Sequence, residues 1–370
     1  MKKAIVIDWL DKYGGAERVI GAFEKVFSFD ITYTLANIMP ETELDKIYTH
    51  RKPVIVETPL KRFGSKFRAL FFTFPYFIRT LKVSKDVELI ISSSHAVAKG
   101  IKKTSPGQLH ISYFQARNCN YIWGEYKLYF GFFGHIIYPL ISLLRKIDRK
   151  QAQEPDFIIC NSFFVKNWVK EKYKRDASVI YPPVDLSCFS LQPDKEDYYV
   201  AVGRLADIKR FDIAIEAFKA MGKKLIIIGD GDQAKKLKAI AGSNPNIVFT
   251  GFLDSLEVND YISKARGFIQ TGIEGFGISP IEAQACGTPV IAFGYGGVLE
   301  TVKKNETGVF FDEQTVHSLT DAVGRFEQLH FDYAKIRSHS LQFSKERFEK
   351  EIKEYVERKW DEHINTLHKL

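Results

Sequence analysis

Two glutamates bracket a glycine pair in the run Glu274-Gly275-Phe276-Gly277-Ile278-Ser279-Pro280-Ile281-Glu282. An apolar strand pattern, Gly267–Thr271, precedes the run, and the glycines open the following helix. Glycine lets backbone N–H groups come close to a ligand, which suits sugar hydroxyls and phosphate oxygens. In that arrangement Glu274 faces a reacting group, and Glu282, about one helical turn further on, can bind a diol such as ribose. The plainer alternative is that both acids serve the helix dipole. A second run, Gly203-Arg204-Leu205-Ala206-Asp207-Ile208-Lys209-Arg210, lies between a strand ending at Val202 and a helix beginning near Phe211. Arg204 and Lys209 can both point at an anion near that helix start, where free N–H groups already favour phosphate. Taken alone, such residues are more often simply solvated.

Other motifs are weaker. Gly229-x-Gly231 after Leu225–Ile228 is half of a dinucleotide fingerprint, but Ala234 stands where the third glycine belongs. No acid ends a neighbouring strand at the usual distance, so the pair reads as a tight strand-to-helix turn. Cys119, Cys160, Cys188 and Cys286 are scattered without a C-x-x-C pair or a Cys/His cluster. That pattern argues against a disulfide scaffold and a zinc site and for a reducing compartment. The start, MKKAIVIDWL, has four apolar residues before Asp8, enough for a buried strand and short of a signal peptide.

The elements that must position these residues alternate regularly. Strand patterns fall at Ala4–Asp8, Ile31–Thr34, Val54–Val56, Leu89–Ser92, Leu109–Phe114, Phe157–Cys160 and Ser178–Tyr181. A second series runs through Tyr198–Val202, Lys224–Ile228, Asn246–Thr250, Gly267–Thr271, Pro289–Phe293 and Gly308–Phe311. Most are continuous apolar runs separated by amphipathic stretches, as in parallel sheets covered on both faces. With 370 residues, 45% hydrophobic and 26% charged, the chain is sized for two α/β domains of the doubly wound kind. Pro182-Pro183 breaks the series, giving domains over 1–185 and 186–343. Residues 344–370 read as a charged helix with a stripe of Phe348, Ile352, Tyr355, Val356 and Trp360, packing on one of the two domains.

Charge is unevenly spread. Residues 1–185 hold 29 Lys/Arg against 18 Asp/Glu, whereas the rest hold 24 against 27. An anionic partner for the first half is implied: a membrane surface, a diphosphate or a nucleic acid. Residues 61–82 carry six Lys/Arg, seven Phe/Tyr and no acid, with Lys61, Arg62, Lys66 and Arg68 leading. That composition fits attachment to an anionic bilayer, the alternative being a core helix with snorkelling lysines. Residues 128–144 are uncharged apart from His135, but Pro139 and two glycines interrupt them, so a buried or interfacial helix is expected and not a span.

Taken together, the motifs resemble glycosyltransferase family 4. Glu274-x7-Glu282 matches its E-x7-E signature, Arg204 and Lys209 its basic pair, and Gly14-Gly15-Ala16-Glu17-Arg18 its N-terminal glycine loop. Ser92–Gly100 and Tyr113–Trp123 are most similar to bacterial O-antigen and capsule mannosyltransferases. The resemblance implies a GT-B architecture, with two Rossmann-like doubly wound domains facing across a cleft. It also implies a retaining transfer of a hexose from a nucleoside diphosphate sugar to a lipid-linked glycan in cell-surface polysaccharide synthesis. Arg204 and Lys209 would then hold the diphosphate. Glu274 would hold the sugar with the Gly275, Phe276, Gly277 and Ile278 amides, and Glu282 the ribose. Gly14 and Gly15 would approach donor and acceptor, Phe252 would join the donor-binding set, and Arg117 would join the acceptor and membrane set with Lys61, Arg62, Lys66 and Arg68.

GDP-mannose is the favoured donor. The expected location is the cytoplasm, peripheral on the inner face of the cytoplasmic membrane. Lacking an Asp-x-Asp site followed by further ligands, the chain is expected to need no metal and no cofactor, and no nucleic acid is expected as partner. One departure stands out: Gln115 occupies a position where those relatives carry a histidine that contacts the transferred sugar. Glutamine still makes hydrogen bonds but cannot become cationic, so a 6-deoxyhexose donor is a rival. His95 does not replace that histidine by position and reads as a structural residue. Two other readings compete: a phosphorylase- or epimerase-like GT-B enzyme, and a basic membrane- or nucleic-acid-binding module. The module leaves Glu274 and Glu282 without a role.

Overall fold

The computed structural model describes residues 1–124, 126, 131 and 136–368. The chain folds as two units, residues 1–183 with 346–370 and residues 184–345. The division thus falls at Pro182-Pro183, two residues before the boundary read from sequence, and the charged tail belongs to the first unit.

In the first unit, seven strands make one parallel sheet. They are β1 (Lys2–Ile7), β2 (Ile31–Thr34), β3 (Val54–Glu57), β4 (Val87–Ser94), β5 (Leu109–Phe114), β6 (Phe157–Cys160) and β7 (Ser178–Val179), in the order β3-β2-β1-β4-β5-β6-β7. The last strand is shorter than its apolar run because the two prolines that follow cannot donate to a ladder. Ile5, Ile91 and Ile111 pack on one face with the helices Gly15–Phe27 and Lys345–Leu367, the latter contributing Phe348, Ile352, Tyr355 and Val356. Ala4, Val6 and Ile90 face the other way, onto Phe67, Phe74, Ile78 and Ile141. Both faces are covered, which is why the central strands carry apolar residues on both sides instead of alternating with polar ones.

In the second unit, six parallel strands follow the same logic. They are β8 (Glu196–Val202), β9 (Leu225–Ile228), β10 (Ile247–Gly251), β11 (Ala265–Gln270), β12 (Val290–Phe293) and β13 (Gly308–Phe311), ordered β10-β9-β8-β11-β12-β13. In each sheet the order reverses direction beside the first strand, between β1 and β4 and between β8 and β11. Loops leaving the carboxyl ends of such a pair diverge and open a crevice, the usual ligand site of this architecture.

The basic aromatic stretch is not one amphipathic helix. A 3-10 segment at Pro59–Thr73, kinked at Gly64 and Leu70, leads into a short α-helix at Phe74–Thr80. Its aromatic residues divide: Phe67 and Phe74 are core, while Phe63, Phe72 and Tyr76 are exposed. The uncharged stretch 128–144 is described at Gly131 and from Ile136 on, where the helix Tyr138–Gln151 exposes Tyr138, Leu140 and Leu143; residues 128–130 and 132–135 lie outside the described residues. Among the described residues, no helix is long and apolar enough to cross a membrane.

Candidate functional site

At the switch point of the second unit, the loop after β8 meets the loop after β11. Arg204 is exposed, and its guanidinium has no hydrogen-bond partner among the described residues. Lys209 ends a 3-10 turn, Asp207–Lys209, and Arg210 behind it takes φ 53° to start the helix Phe211–Met221. The Lys209 ammonium is ion-paired with the Glu274 carboxylate, each side chain about a quarter exposed. The cation assigned to phosphate and the carboxylate assigned to sugar are therefore adjacent.

Glu274 is held from below by its backbone. Its carbonyl accepts from Gly297 N at 3.0 Å, and it bridges to Gly296. A Cβ on Gly297 would stand 2.4 Å from the Gly275 carbonyl oxygen, so the loop after β12 lies directly against the Glu274 loop. Gly277 then caps the helix Ile278–Ala285 with φ 94°, a conformation other residues rarely take. Ile278 and Ser279 begin that helix with N–H groups that have no intrahelical acceptor, and Pro280 follows without one to satisfy. Glu282 sits further along the same helix and is only 6% exposed. Phe252, by contrast, is 82% exposed, just past the end of edge strand β10.

Gly229 and Gly231 have a structural explanation. Cβ atoms there would stand 2.0 Å from Gly203 O and 2.4 Å from Leu205 O, so the loop after β9 lies against the Arg204 loop. Leu205 N donates to Asp230 O and Gln233 N to Leu205 O, each at 3.0 Å. The glycines support the site from behind.

The switch point of the first unit is organised around Asp8, which sequence pattern alone places only at a strand end. Its carboxylate is fully buried and accepts four backbone N–H groups, from His95, Ala96, Val97 and Ala98, at 2.6–2.9 Å. His95 Nδ1 stands 3.2 Å from Asp8 Oδ2, and the ring meets Trp9 edge-on. The available signal was a carboxylate directly after a four-residue apolar run, since an acid buried at a strand end needs several donors.

Gln115 stands at the same crevice, its amide donating to Ala16 O at 3.2 Å and to Ser93 Oγ. Gly14 N donates to Glu17 Oε2 at 3.0 Å, so this glycine-loop amide is occupied by the protein's own carboxylate. Burial pushes Glu17 up to about 7, with Asp11 and Glu43 adding to the rise. Arg117 lies over the Phe164 ring at 5.3 Å.

Of the other four cations assigned with Arg117 to a membrane or acceptor, Arg62 and Lys66 are exposed, and Lys61 is exposed but bridged to Glu57 at 2.8 Å. Arg68 departs from that reading. Its guanidinium is ion-paired with Asp11 and lies over Trp9 and Phe67, so packing explains it better than a lipid does. Among the described residues, no three His, Cys, Asp or Glu side chains are gathered as a metal site requires.

Residues 188–340 match the family described as glycosyl transferases group 1. The second unit is a glycosyl transferases group 1 domain. The chain is 26% identical over 221 residues to a GDP-mannose-dependent phosphatidylinositol monomannoside mannosyltransferase of Mycobacterium tuberculosis, covering 51% of this chain and 57% of that one. It is 29% identical over 187 residues to the O-antigen chain mannosyltransferase RfbU of Salmonella typhimurium, covering 46% and 53%. The chain spans about half the length of the curated relatives it matches. Among solved structures, Anabaena HepE in complex with UDP superposes with a TM-score of 0.70 at 16% identity, over 97% of this chain and 100% of that one. That likeness shows the fold, the two-unit GT-B architecture.

Proposed function

We propose that the protein is a retaining glycosyltransferase that moves a hexose from a nucleoside diphosphate sugar to a lipid-linked glycan during cell-surface polysaccharide synthesis. The observation that carries this reading is the meeting of Arg204, Lys209, Glu274 and the start of the Ile278–Ala285 helix at one switch point. The chemistry needs that combination. As the bond between the anomeric carbon and the diphosphate oxygen breaks, negative charge grows on the leaving group. Two cations and a helix N-terminus stabilise that charge more in the transition state than before it. The acceptor oxygen bonds to the same carbon on the face the diphosphate leaves, and its proton departs with the diphosphate.

Glu274 and the Gly275–Ile278 amides would hold the sugar, Glu282 the ribose, and Phe252 the base side of the donor. The first unit would take the acceptor, with Gln115 at its switch point. Mannose from GDP-mannose is favoured because two relatives are named mannosyltransferases, one of them GDP-mannose-dependent. Gln115 in place of histidine keeps a 6-deoxyhexose donor as the rival. A metal or cofactor has no part in this scheme.

The acceptor reading goes with attachment to the inner face of the cytoplasmic membrane. Exposed Phe63, Phe72 and Tyr76 beside Arg62, Lys66 and Lys82 support it, as aromatic rings and basic residues favour an anionic headgroup region. The deciding experiment is a screen of GDP- and UDP-sugars for transfer to lipid-linked acceptors from a bacterial membrane extract. Transfer from GDP-mannose with the anomeric configuration kept is the expected result. Turnover of no sugar nucleotide, with no nucleoside diphosphate bound, overturns the reading.

A further inference from the structure

We infer that Thr271 is a positioning residue for donor binding: its hydroxyl holds the Lys209 backbone so that the ammonium stands at the diphosphate. The inference rests on the reading of Lys209 as a diphosphate ligand. Thr271 follows β11 and is 3% exposed. Its Oγ1 donates to Lys209 O at 2.8 Å, joining the two loops that diverge at the switch point. Its own carbonyl accepts from Gln314 Nε2 at 2.8 Å, which ties it to the segment after β13.

A second observation has the same sense. A Cβ on Gly272 would stand 2.7 Å from Ile208 O and 2.8 Å from Lys209 Cα. The backbone of 271–272 is thus in direct contact with the turn that carries Lys209. Lys209, Gln270 and Thr271 also line one small hollow with Val202, Phe211 and Ile269.

The physical need is clear. A lysine ammonium sits at the end of four rotatable carbons and binds diphosphate as a point charge. Where its backbone sits decides what it can reach. Between β8 and Lys209 the chain is a loop and a single 3-10 turn, with Arg210 at positive φ behind. Such a turn has few internal bonds. The Thr271 hydroxyl supplies one from the neighbouring strand end, and it is buried, so water does not replace it readily.

The test is calorimetric titration of GDP and of UDP into the full-length protein and its variants, each checked by thermal melting. Lys209→Ala is expected to weaken the better-bound nucleotide at least tenfold, Thr271→Val about three- to tenfold, and Thr271→Ser less than twofold. The double variant Thr271→Val/Lys209→Ala is expected to bind no more weakly than Lys209→Ala alone. Should Thr271→Val fail to fold, Thr271→Ala deletes the same hydroxyl and carries the same expectation. A weakened Lys209→Ala beside an unchanged Thr271→Val overturns the inference and leaves the donor reading standing. So does a double variant in which the two losses multiply. An unchanged Lys209→Ala overturns both.

Discussion

Lys209 and Glu274, 65 positions apart, are joined by an ion pair at the switch point of the second unit. The pair places a competitor on the cation assigned to the donor diphosphate. Binding a nucleoside diphosphate must draw Lys209 away from Glu274 and bring like charges near each other. Glu274→Gln is therefore expected to tighten binding of GDP without sugar, by about two- to fivefold for a partly exposed pair, while transfer is lost. Titration calorimetry beside a transfer assay measures both. Weaker GDP binding in Glu274→Gln contradicts the competition.

Glu282 should behave differently. It is buried on the helix, past the amides that start it, and assigned to the ribose. Glu282→Ala is expected to weaken bare nucleotide, as Arg204→Ala and Lys209→Ala are, with each charge-assisted contact worth about 1.5–3 kcal/mol. Glu274→Ala removes the same competitor as Glu274→Gln and should bind bare nucleotide at least as well as the parent. The same binding profile for both glutamate variants would remove the division of roles.

Much of this was legible in the residues. Strands at Ile31–Thr34, Leu109–Phe114, Phe157–Cys160 and Gly308–Phe311 have the limits their apolar runs imply, because burial on both faces leaves little freedom in composition. The residues proposed for the donor are grouped by spacing: Glu274 and Glu282 share one loop-and-helix unit, and Arg204 and Lys209 share another. What spacing does not carry is contact between distant segments. The Thr271 hydroxyl on Lys209 O and Gly297 against Gly275 arise from strand order, which no local pattern encodes. Arg68 illustrates the opposite error. It counts as a free cation in a window without acids, yet Asp11, far outside that window, neutralises it.

Glu17 gives a pH signature. Its carboxyl rises from an ordinary 4.5 to about 7, chiefly through burial. The folded state then holds a proton that the unfolded state has released, so this contribution to stability is full below about 4.5 and lost as pH rises through 7. Glu17→Gln mimics the protonated form and keeps an acceptor for Gly14 N. Relative to the parent, it should match at low pH and gain of the order of 2–3 kcal/mol by pH 8. All four tryptophans, Trp9, Trp123, Trp168 and Trp360, lie in the first unit, so their fluorescence during urea unfolding follows the unit that holds Glu17. A difference independent of pH would mean that Glu17 is ionised throughout.

A buried pair should dominate the stability of the same unit. Lys99 Nζ stands 2.7 Å from Asp148 Oδ1, with Lys99 fully buried. Asp148 Oδ2 accepts from Trp123 Nε1 at 2.7 Å and Tyr173 OH at 2.6 Å. Lys99→Met leaves that carboxylate buried without its counter-charge, at a cost of about 3–5 kcal/mol. Lys99→Met/Asp148→Leu should recover a large part, because two charges then leave the interior together. Equal losses in the single and double variants would show that side-chain packing, and not charge, is what Lys99 supplies.

The membrane proposal can now be tested with better-chosen residues. Arg68 and Arg79 are tied to Asp11 and Glu154, and Lys61 to Glu57, which leaves Arg62, Lys66 and Lys82 as the exposed cations of the 61–82 stretch without an ion pair among the described residues. Each basic residue near an anionic surface contributes about 1 kcal/mol, screened beyond roughly 8–10 Å at ordinary salt. Phe63 and Tyr76, 55% and 69% exposed, would then settle among the headgroups. The protein is expected to sediment with vesicles of phosphatidylglycerol and phosphatidylcholine, not with phosphatidylcholine alone, and to be released by high salt. Replacing Arg62, Lys66 and Lys82 together with glutamine should weaken sedimentation. Arg68→Gln is expected instead to loosen the packing on Trp9 and lower the melting temperature. Binding that ignores salt would point to the exposed Tyr138, Leu140 and Leu143, and no binding at low salt would leave a soluble acceptor as the better reading.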